Sequence, residues 1–234
     1  MIELDAAIAD RLGAVRARIA AAAQRSGRRP EAVRLVAVSK TYPAECVAAA
    51  VAAGQLDFGE NKVQEGLQKI AAVTDNRIRW HVIGHLQSNK ARKAAEAFHW
   101  IHAVDSVSLL RKIEEGAVAA GQRPKLLVQV DLAGEATKFG AAPADLVEIF
   151  AAGAACAAAQ LVGLMVLPPA VADASDARPW FRKLVAVRDG LCASGVPATH
   201  LSELSMGMSH DFEVAIEEGA TIVRVGSAIF GDRR

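Results

Sequence analysis

The sequence has few features of a secreted, membrane or nucleic-acid-binding protein. It has only three cysteines, Cys46, Cys156 and Cys192, and their odd number and wide spacing exclude a disulfide framework and a CxxC metal site. No apolar run free of charges and glycine is long enough to span a bilayer, and the first residues lack the apolar core of a signal peptide. A formal net charge of +1 provides no field that would attract a polyanion. We therefore expect a soluble cytoplasmic protein with neither a membrane nor a nucleic-acid partner.

Aromatic residues are also scarce, at 5% of the chain, and Tyr42 is the only tyrosine. The apolar fraction of 52% comes largely from alanine, in runs such as VAAAVAAG. Alanine favours helices, so these runs predict Ala-rich amphipathic helices. A chain of 234 residues is long enough for one large barrel or two small domains.

Eight short apolar, β-branched segments alternate with these longer amphipathic stretches. Near-continuous apolar runs such as VRLVAVS indicate a parallel sheet that is covered on both faces. Eight strand–helix pairs favour closure into a (β/α)8 barrel over an open doubly wound sheet, which usually has about five to seven strands. No Pro-, Gly- or Ser-rich linker divides the chain, so residues 1–234 are predicted to form a single domain. The predicted strands are 33–40, 56–61, 79–85, 100–106, 125–132, 161–167, 199–207 and 220–227.

An additional helix is predicted before the first strand. Its apolar positions recur at helical spacing, and Gly27 followed by Pro30 ends the pattern. These positions are Leu4, Ile8, Leu12, Val15 and Ile19.

Polar residues and glycines gather where the predicted strands end. In a (β/α)8 barrel these ends converge on one face, and active sites are built there. Residues far apart in sequence are therefore expected to surround one pocket. The segments are Ser39-Lys40, Gly59-Glu60-Asn61, Gly84-His85, Asp105-Ser106, the SMGMS run from Ser205 to Ser209, and Gly226-Ser227.

Lys40 ends the hydrophobic strand VRLVAVSK. It is either a surface ammonium at a strand end or an amine in a partly dry pocket. In the second case, burial lowers the pKa of a lysine, and the free amine is the form that attacks an aldehyde. The position therefore suits a Schiff-base lysine.

The turns SMGMS and RVGSAIFG follow the last two predicted strands, where (β/α)8 barrels commonly bind phosphate. Glycine allows close approach of the backbone, and the hydroxyls of Ser209 and Ser227 can donate to an anion. Either turn alone is an ordinary chain reversal with a helix cap. The two together favour a phosphate site.

Arg224 lies in the apolar last strand, and a buried arginine needs a partner. That partner is either a nearby carboxylate or an acceptor on a ligand, such as a ring nitrogen. Four histidines, at positions 81, 85, 99 and 102, raise the question of a metal site. With no Cys or Asp at ligand spacing, a structural role is favoured over zinc, and no metal ligand is predicted.

The sequence resembles the YggS/PROSC family of pyridoxal phosphate homeostasis proteins along nearly its whole length. The resemblance implies the barrel fold of the N-terminal domain of alanine racemase, and pyridoxal 5'-phosphate (PLP) as the cofactor. The matching blocks, in order, are LVAVSKTYP, DFGENKVQE, WHVIGHLQSNK, HAVDS, GEATKFG, GLMVLPP, LSMGMSHDFEVAIEEGAT and VRVGSAIFG.

The resemblance also implies roles for single residues. Lys40 corresponds to the Schiff-base lysine, and Arg224 faces the pyridine nitrogen. Family members often have an aromatic residue after GEN and Thr after VRxG, where this chain has Lys62 and Ser227. Serine keeps the hydroxyl, whereas Lys62 changes what covers that side of the ring. The full set of predicted cofactor-binding residues is Lys40, Asn61 beside the ring, Ser209, Gly226 and Ser227 at the phosphate, Arg224, and the strand-end residues His85 and Met206.

A cationic partner at the pyridine nitrogen argues against strong catalysis. PLP enzymes that stabilise carbanions usually pair this nitrogen with a carboxylate, whereas arginine is permanently cationic and leaves the ring neutral. Racemases of this barrel type, by resemblance, take a second base from an additional β-domain and a subunit partner. This chain ends at Arg234, soon after the phosphate loop, and its single tyrosine lies next to Lys40.

We therefore expect a PLP-binding homeostasis protein with no catalytic residues. It would store PLP and deliver it to PLP-dependent apo-enzymes, and we expect it to be a monomer. Two alternatives stay open: a PLP-dependent amino-acid racemase, and a cofactor-free Schiff-base aldolase acting on a phosphorylated sugar.

Overall fold

The computed structural model describes residues 2–134 and 139–231. Its eight strands are all parallel and close into one barrel in the order β1 to β8, with β1 paired to both β2 and β8. This confirms the predicted (β/α)8 barrel and excludes the open sheet. The strands are β1 (Arg34–Val38), β2 (Asp57–Glu60), β3 (Arg79–Val82), β4 (Trp100–Val104), β5 (Lys125–Gln129), β6 (Gln160–Met165), β7 (Glu203–Ser205) and β8 (Ile222–Val225).

A helix follows every strand, and one helix precedes the barrel. The helices are α1 (Ile2–Arg25), α2 (Ala44–Ala52), α3 (Val63–Ala72), α4 (Ala91–Ala97), α5 (Val107–Ala120), α6 (Leu146–Ala154), α7 (Arg178–Ala193), α8 (Phe212–Glu217) and α9 (Ser227–Phe230). Among the helices of the described ranges, none is long and apolar enough to cross a membrane.

Most strands are shorter than predicted at their carboxyl ends, where polar residues leave the sheet. The largest difference is at 199–207, where only Glu203–Ser205 is strand and Ala198–Leu201 forms a 3-10 turn. Lys40, Asn61 and His85 likewise lie in loops rather than in strands. The residues predicted to form the site are therefore on the connections above the barrel.

The predicted helix α1 is present and lies across the point where the barrel closes. Its apolar face is buried at Ile8, Leu12, Val15 and Ile19, while Leu4 is exposed. It packs on α2, α8 and α9, the helices beside β1 and β8. It thus covers the β1–β8 pairing from outside.

The core has two parts. The main part fills the space between barrel and helices, and a smaller cluster fills the barrel interior. Side chains alternate across a strand, so the interior residue Val36 indicates which positions of β1 and its continuation face inward. The interior cluster consists of Val36, Trp100, Leu127, Met165 and Ile222.

Candidate functional site

Lys40 lies in the β1–α2 loop, between two residues that are held by side chains of β2 and α3. It is half-buried, and it lies two residues beyond Val38, the last residue of β1. The hydroxyl of Ser39 donates to Glu60 Oε1 at 2.6 Å, and the amide of Thr41 donates to Glu65 Oε1 at 2.5 Å. The backbone is therefore fixed on both sides of Lys40.

Glu60, Glu65 and Lys69 form one buried ionic group under this loop, here called the Lys69 cluster. The ammonium of Lys69 lies 2.7 Å from Glu60 Oε1 and 2.8 Å from Glu65 Oε1, and it also donates to the carbonyl of Ser39 at 2.6 Å. Burial raises the pKa of Glu60, against the opposing effect of Lys69. For Glu65, hydrogen bonds from Lys69 and Thr41 outweigh burial and lower the pKa. The sequence did not indicate this group, because its residues face away from the barrel interior.

Asn61 and His85 lie on the next two loops. A Cβ atom on Gly84 would be 2.5 Å from the carbonyl oxygen of Asn61, so the close packing of these loops requires glycine. The imidazole of His85 stacks on Phe139 with a centroid distance of 3.5 Å, and its Nδ1 is 3.9 Å from Asp105 Oδ2. Lys62 is exposed at the start of α3.

The two turns predicted to bind phosphate are in direct contact. The hydroxyl of Ser209 accepts a hydrogen bond from the amide of Gly226 at 3.1 Å. A Cβ atom on Gly226 would be 3.2 Å from the carbonyl oxygen of Val38, which places this contact beside the strand that leads to Lys40. Ser227 begins α9, directly after this glycine. Met206 is fully buried in the core, beneath the turn that carries Ser209.

Arg224 is buried, with 3% of its surface exposed. Its guanidinium donates to the hydroxyl of Ser205 at 2.6 Å and to the carbonyl of Val166 at 2.9 Å. The sequence suggested a carboxylate or a ligand acceptor as its partner. These two hydrogen bonds go to a hydroxyl and a carbonyl, and the carboxylate of Asp211 also acts on Arg224 through its charge. Burial lowers the pKa of Arg224 to about 10, so the side chain is a cation at neutral pH.

Two of the four histidines are fully buried inside the barrel. His102 contacts Ser205, and His81 contacts His102 and Asp57. Within residues 2–134 and 139–231, no three His, Cys, Asp or Glu side chains are grouped as a metal site would require. No pattern along the chain relates these residues, because only the register of the closed barrel brings four different strands together.

Tyr42, the only tyrosine of the sequence, has a hydrogen bond and a ring contact near the carboxyl end of the described chain. The hydroxyl of Tyr42 donates to the carbonyl of Gly231 at 2.5 Å, and its ring packs on Phe230 with a centroid distance of 5.0 Å. Its hydroxyl is thus directed to the residue that follows α9.

The opposite end of the barrel, where the strands begin, has two cavities that are bordered by arginines. The cavities, of about 500 and 380 Å³, are both bordered by Arg34 and Arg79. These arginines form ion pairs with the buried Asp57 at 3.3 and 2.5 Å. None of the predicted cofactor-binding residues borders these two cavities.

Comparison with known proteins agrees with the fold and with the resemblance. Residues 11–234 match the family model of the alanine racemase N-terminal domain. The pyridoxal phosphate homeostasis protein of Pseudomonas aeruginosa is 44% identical over 226 residues, covering 97% of this chain and 96% of the relative. The protein of the same name from Aquifex aeolicus is 41% identical over 225 residues, covering 96% and 98%.

A solved structure of a related protein is also similar to this chain in fold and sequence. PipY of Synechococcus elongatus, determined with PLP bound, superposes with a TM-score of 0.85 at 41% identity and covers 96% of this chain and 100% of that one. The GEATKFG block lies partly outside the described residues, and the other seven blocks fall within the barrel. The chain therefore belongs to the alanine racemase N-terminal domain family and, within it, to the pyridoxal phosphate homeostasis proteins.

Proposed function

We propose that this chain binds PLP for intracellular storage and delivery and has no robust catalytic activity of its own. The observation that carries the proposal is the contact of Ser209 with Gly226, next to the strand that leads to Lys40. A reactive amine beside a glycine- and hydroxyl-lined turn suits an aldehyde that carries a phosphate. The names of the Pseudomonas and Aquifex relatives, and PLP in the PipY structure, support the same cofactor.

The donors present fit this cofactor. When bound, PLP supplies an aldehyde that a primary amine can capture and an anionic phosphate. Lys40 would hold the aldehyde carbon covalently, as a Schiff base, and the contacts of Ser39 and Thr41 would direct its side chain. The remaining proposed contacts are Ser209, Gly226 and Ser227 at the phosphate, Asn61 beside the ring and His85 around it. Met206, whose side chain is in the core, would contribute its backbone.

In this proposal, the positive charge of Arg224 is the reason that the protein stores PLP and does not catalyse a reaction with it. Placed at the pyridine nitrogen, a permanent cation cannot take up the ring proton, so the ring does not become the strong electron acceptor that carbanion chemistry needs. The pKa of Arg224, at about 10, keeps it charged under physiological conditions. The relatives named above are called homeostasis proteins rather than racemases, which supports the same conclusion.

The recipients proposed for the stored cofactor are PLP-dependent apo-enzymes. We further propose that the protein acts in the cytoplasm, as a monomer and as a single domain. Transfer is tested by incubating the loaded protein with a PLP-dependent apo-enzyme and measuring the recovery of that enzyme's activity.

Cofactor binding is tested by titrating the purified protein with PLP. We expect a visible absorbance band, and borohydride reduction followed by peptide mapping should locate the adduct on Lys40. The variant Lys40→Ala should lose the adduct but keep weaker binding through the phosphate contacts. Lys93→Ala, which removes an exposed lysine of α4, is the matched control and should behave like the unaltered protein.

Two outcomes would contradict the proposal. A protein that stays colourless with PLP would favour the cofactor-free aldolase. Sustained racemisation of alanine or another amino acid at about 1 per second or faster would show a racemase instead of a carrier. An adduct that persists at the same site in Lys40→Ala would refute the lysine assignment alone.

A further inference from the structure

We propose that Ser205, His102, His81 and Asp57 are positioning residues for Arg224. Together the five side chains form one hydrogen-bonded chain through the barrel, here called the axial chain, which directs the guanidinium at the pyridine nitrogen. This inference rests on the proposed function, since the ring position is part of it.

The axial chain joins the two ends of the barrel. Arg224 donates to Ser205 Oγ at 2.6 Å, Ser205 Oγ lies 2.9 Å from His102 Nδ1, and His102 Nε2 lies 3.0 Å from His81 Nδ1. His81 Nε2 then lies 3.1 Å from Asp57 Oδ1. The five residues come from β8, β7, β4, β3 and β2, so the chain crosses the barrel interior.

The two ends of the chain determine the direction of every hydrogen bond. A guanidinium only donates, so Ser205 must accept from Arg224, and its own proton is available to His102 Nδ1. Neutral His102 then carries its proton on Nε2 and donates to His81 Nδ1, and neutral His81 donates from Nε2 to Asp57. Because an ionised carboxylate only accepts, this order satisfies every member of the chain.

The charges around the histidines support their neutral state. Burial lowers the pKa of His81 to about 4, although Asp57 opposes it, and burial also lowers the pKa of His102 well below its ordinary value. The groups that face His81 are Asp57, Arg34 and Arg79, and its ring stacks on Trp100 at 5.4 Å. Those that face His102 are His81, Arg224, Arg34 and Asp57.

Asp57 stays ionised at the far end of the chain. Burial alone would raise its pKa, but hydrogen bonds from Arg79 and His81 hold it well below its usual range. Asp57 Oδ1 accepts from Arg79 Nε at 2.7 Å, and Arg34 lies 3.3 Å away. The negative charge that orders the axial chain thus lies at the end away from Arg224, while the buried carboxylate of Asp211, which acts on Arg224 through its charge, is outside the chain.

This arrangement differs from packing by inert histidines in a measurable way. A structural role needs only that the rings fill space, whereas positioning needs one tautomer at each ring and a hydroxyl at position 205. Nitrogen-15 NMR of the histidines in the cofactor-free protein at neutral pH reports the tautomers directly. We expect both His81 and His102 to be neutral, with the proton on Nε2.

The second measurement is PLP affinity in two variants at position 205. Ser205→Ala removes the hydroxyl and should weaken PLP binding about tenfold, as expected for one charge-assisted hydrogen bond that fixes Arg224. It should also change the pH dependence of the visible band. Ser205→Thr keeps a hydroxyl and should restore both properties.

His99→Gln is the matched control. His99 lies between α4 and β4 and accepts a hydrogen bond from the amide of Trp80 at 3.1 Å, outside the axial chain. This variant should lose stability while keeping the affinity for PLP and its pH dependence. Circular dichroism and thermal unfolding establish that each variant is folded.

The outcomes separate this inference from the proposed function. If the unaltered protein does not bind PLP, the proposed function fails and the positioning role fails with it. If the protein binds PLP but Ser205→Ala binds equally well, the positioning role alone is overturned. A proton on Nδ1 of either buried histidine overturns it too, even where a variant does not fold.

Discussion

Thr41 has a backbone conformation that threonine rarely adopts. Its φ is 69°, in the left-handed region, and it is the only non-glycine residue of the described ranges with a positive φ. For a β-branched residue this conformation costs about 1–2 kcal/mol. The amide of Thr41 donates to Glu65, so the conformation is maintained by the Lys69 cluster. Backbone strain directly beside Lys40 is consistent with a residue whose direction matters to the site.

Thr41→Gly should therefore increase the free energy of unfolding by about 0.5–1 kcal/mol, because the released strain exceeds the backbone entropy that glycine adds to the unfolded chain. Thr199→Gly is the control, since Thr199 is exposed and has an ordinary φ, and it should lose about 1 kcal/mol. Urea unfolding of both variants is the measurement. Equal losses in the two would show that Thr41 is not strained.

At the scale of elements, α3 is the helix whose side chains contact the Lys40 loop. Its residues Glu65 and Lys69 are one turn apart and contact the backbone of Thr41 and Ser39, on both sides of Lys40. Glu60 of β2 accepts from the hydroxyl of Ser39. The side chain of Lys69 is 7% exposed and that of Glu60 is fully buried. A buried charge that loses its partner destabilises a protein strongly, whereas removal of both partners is tolerated.

Lys69→Met should lower the free energy of unfolding by about 3–5 kcal/mol at pH 7, because Glu60 is left buried and unpaired. The double variant Lys69→Met/Glu60→Gln should recover most of that loss. Denaturant unfolding checks both. As a control, Arg92→Met breaks an exposed pair with Glu96 on α4 and should cost less than about 0.5 kcal/mol. If the double variant is no more stable than the single one, the loss comes from packing and not from an unpaired carboxylate.

At the scale of the whole molecule, periodicity predicted the eight strands, their closure and helix α1, because buried parallel strands and amphipathic helices leave clear apolar patterns. The same pattern could not place the strand ends, since Lys40, Asn61 and His85 continue the sequence of a strand while leaving the sheet. Ser209 and Gly226 could be paired from the positions of their loops. The axial chain could not be predicted, because it depends on the register between strands that are distant in sequence.

The interior of the barrel should also make the stability of the whole protein sensitive to mild acid. His81 has a pKa of about 4 in the folded state against 6.5 when unfolded, so between these values the unfolded chain binds more protons. The contribution of His81 to stability is therefore fully present above about pH 6.5 and is lost as the pH falls toward 4. The loss from His81 alone is about 3 kcal/mol, and His102, whose pKa is also lowered, adds to it.

Glu60 acts in the opposite direction over part of this range. Its folded pKa is raised, so its contribution is present below the usual glutamate value and is lost as the pH rises. Asp211, whose pKa is also raised, acts in the same direction as Glu60, whereas Asp57 and Glu65, whose pKa values are lowered, add to the decrease toward acid. We therefore expect a net decrease in the free energy of unfolding between pH 7 and pH 4. Urea unfolding at half-unit pH steps measures it, and a flat or rising stability toward acid would mean that the buried histidines accept protons without disrupting the barrel interior. The variant Glu60→Gln removes one opposing contribution, so its acid-side decrease should be steeper than that of the unaltered protein.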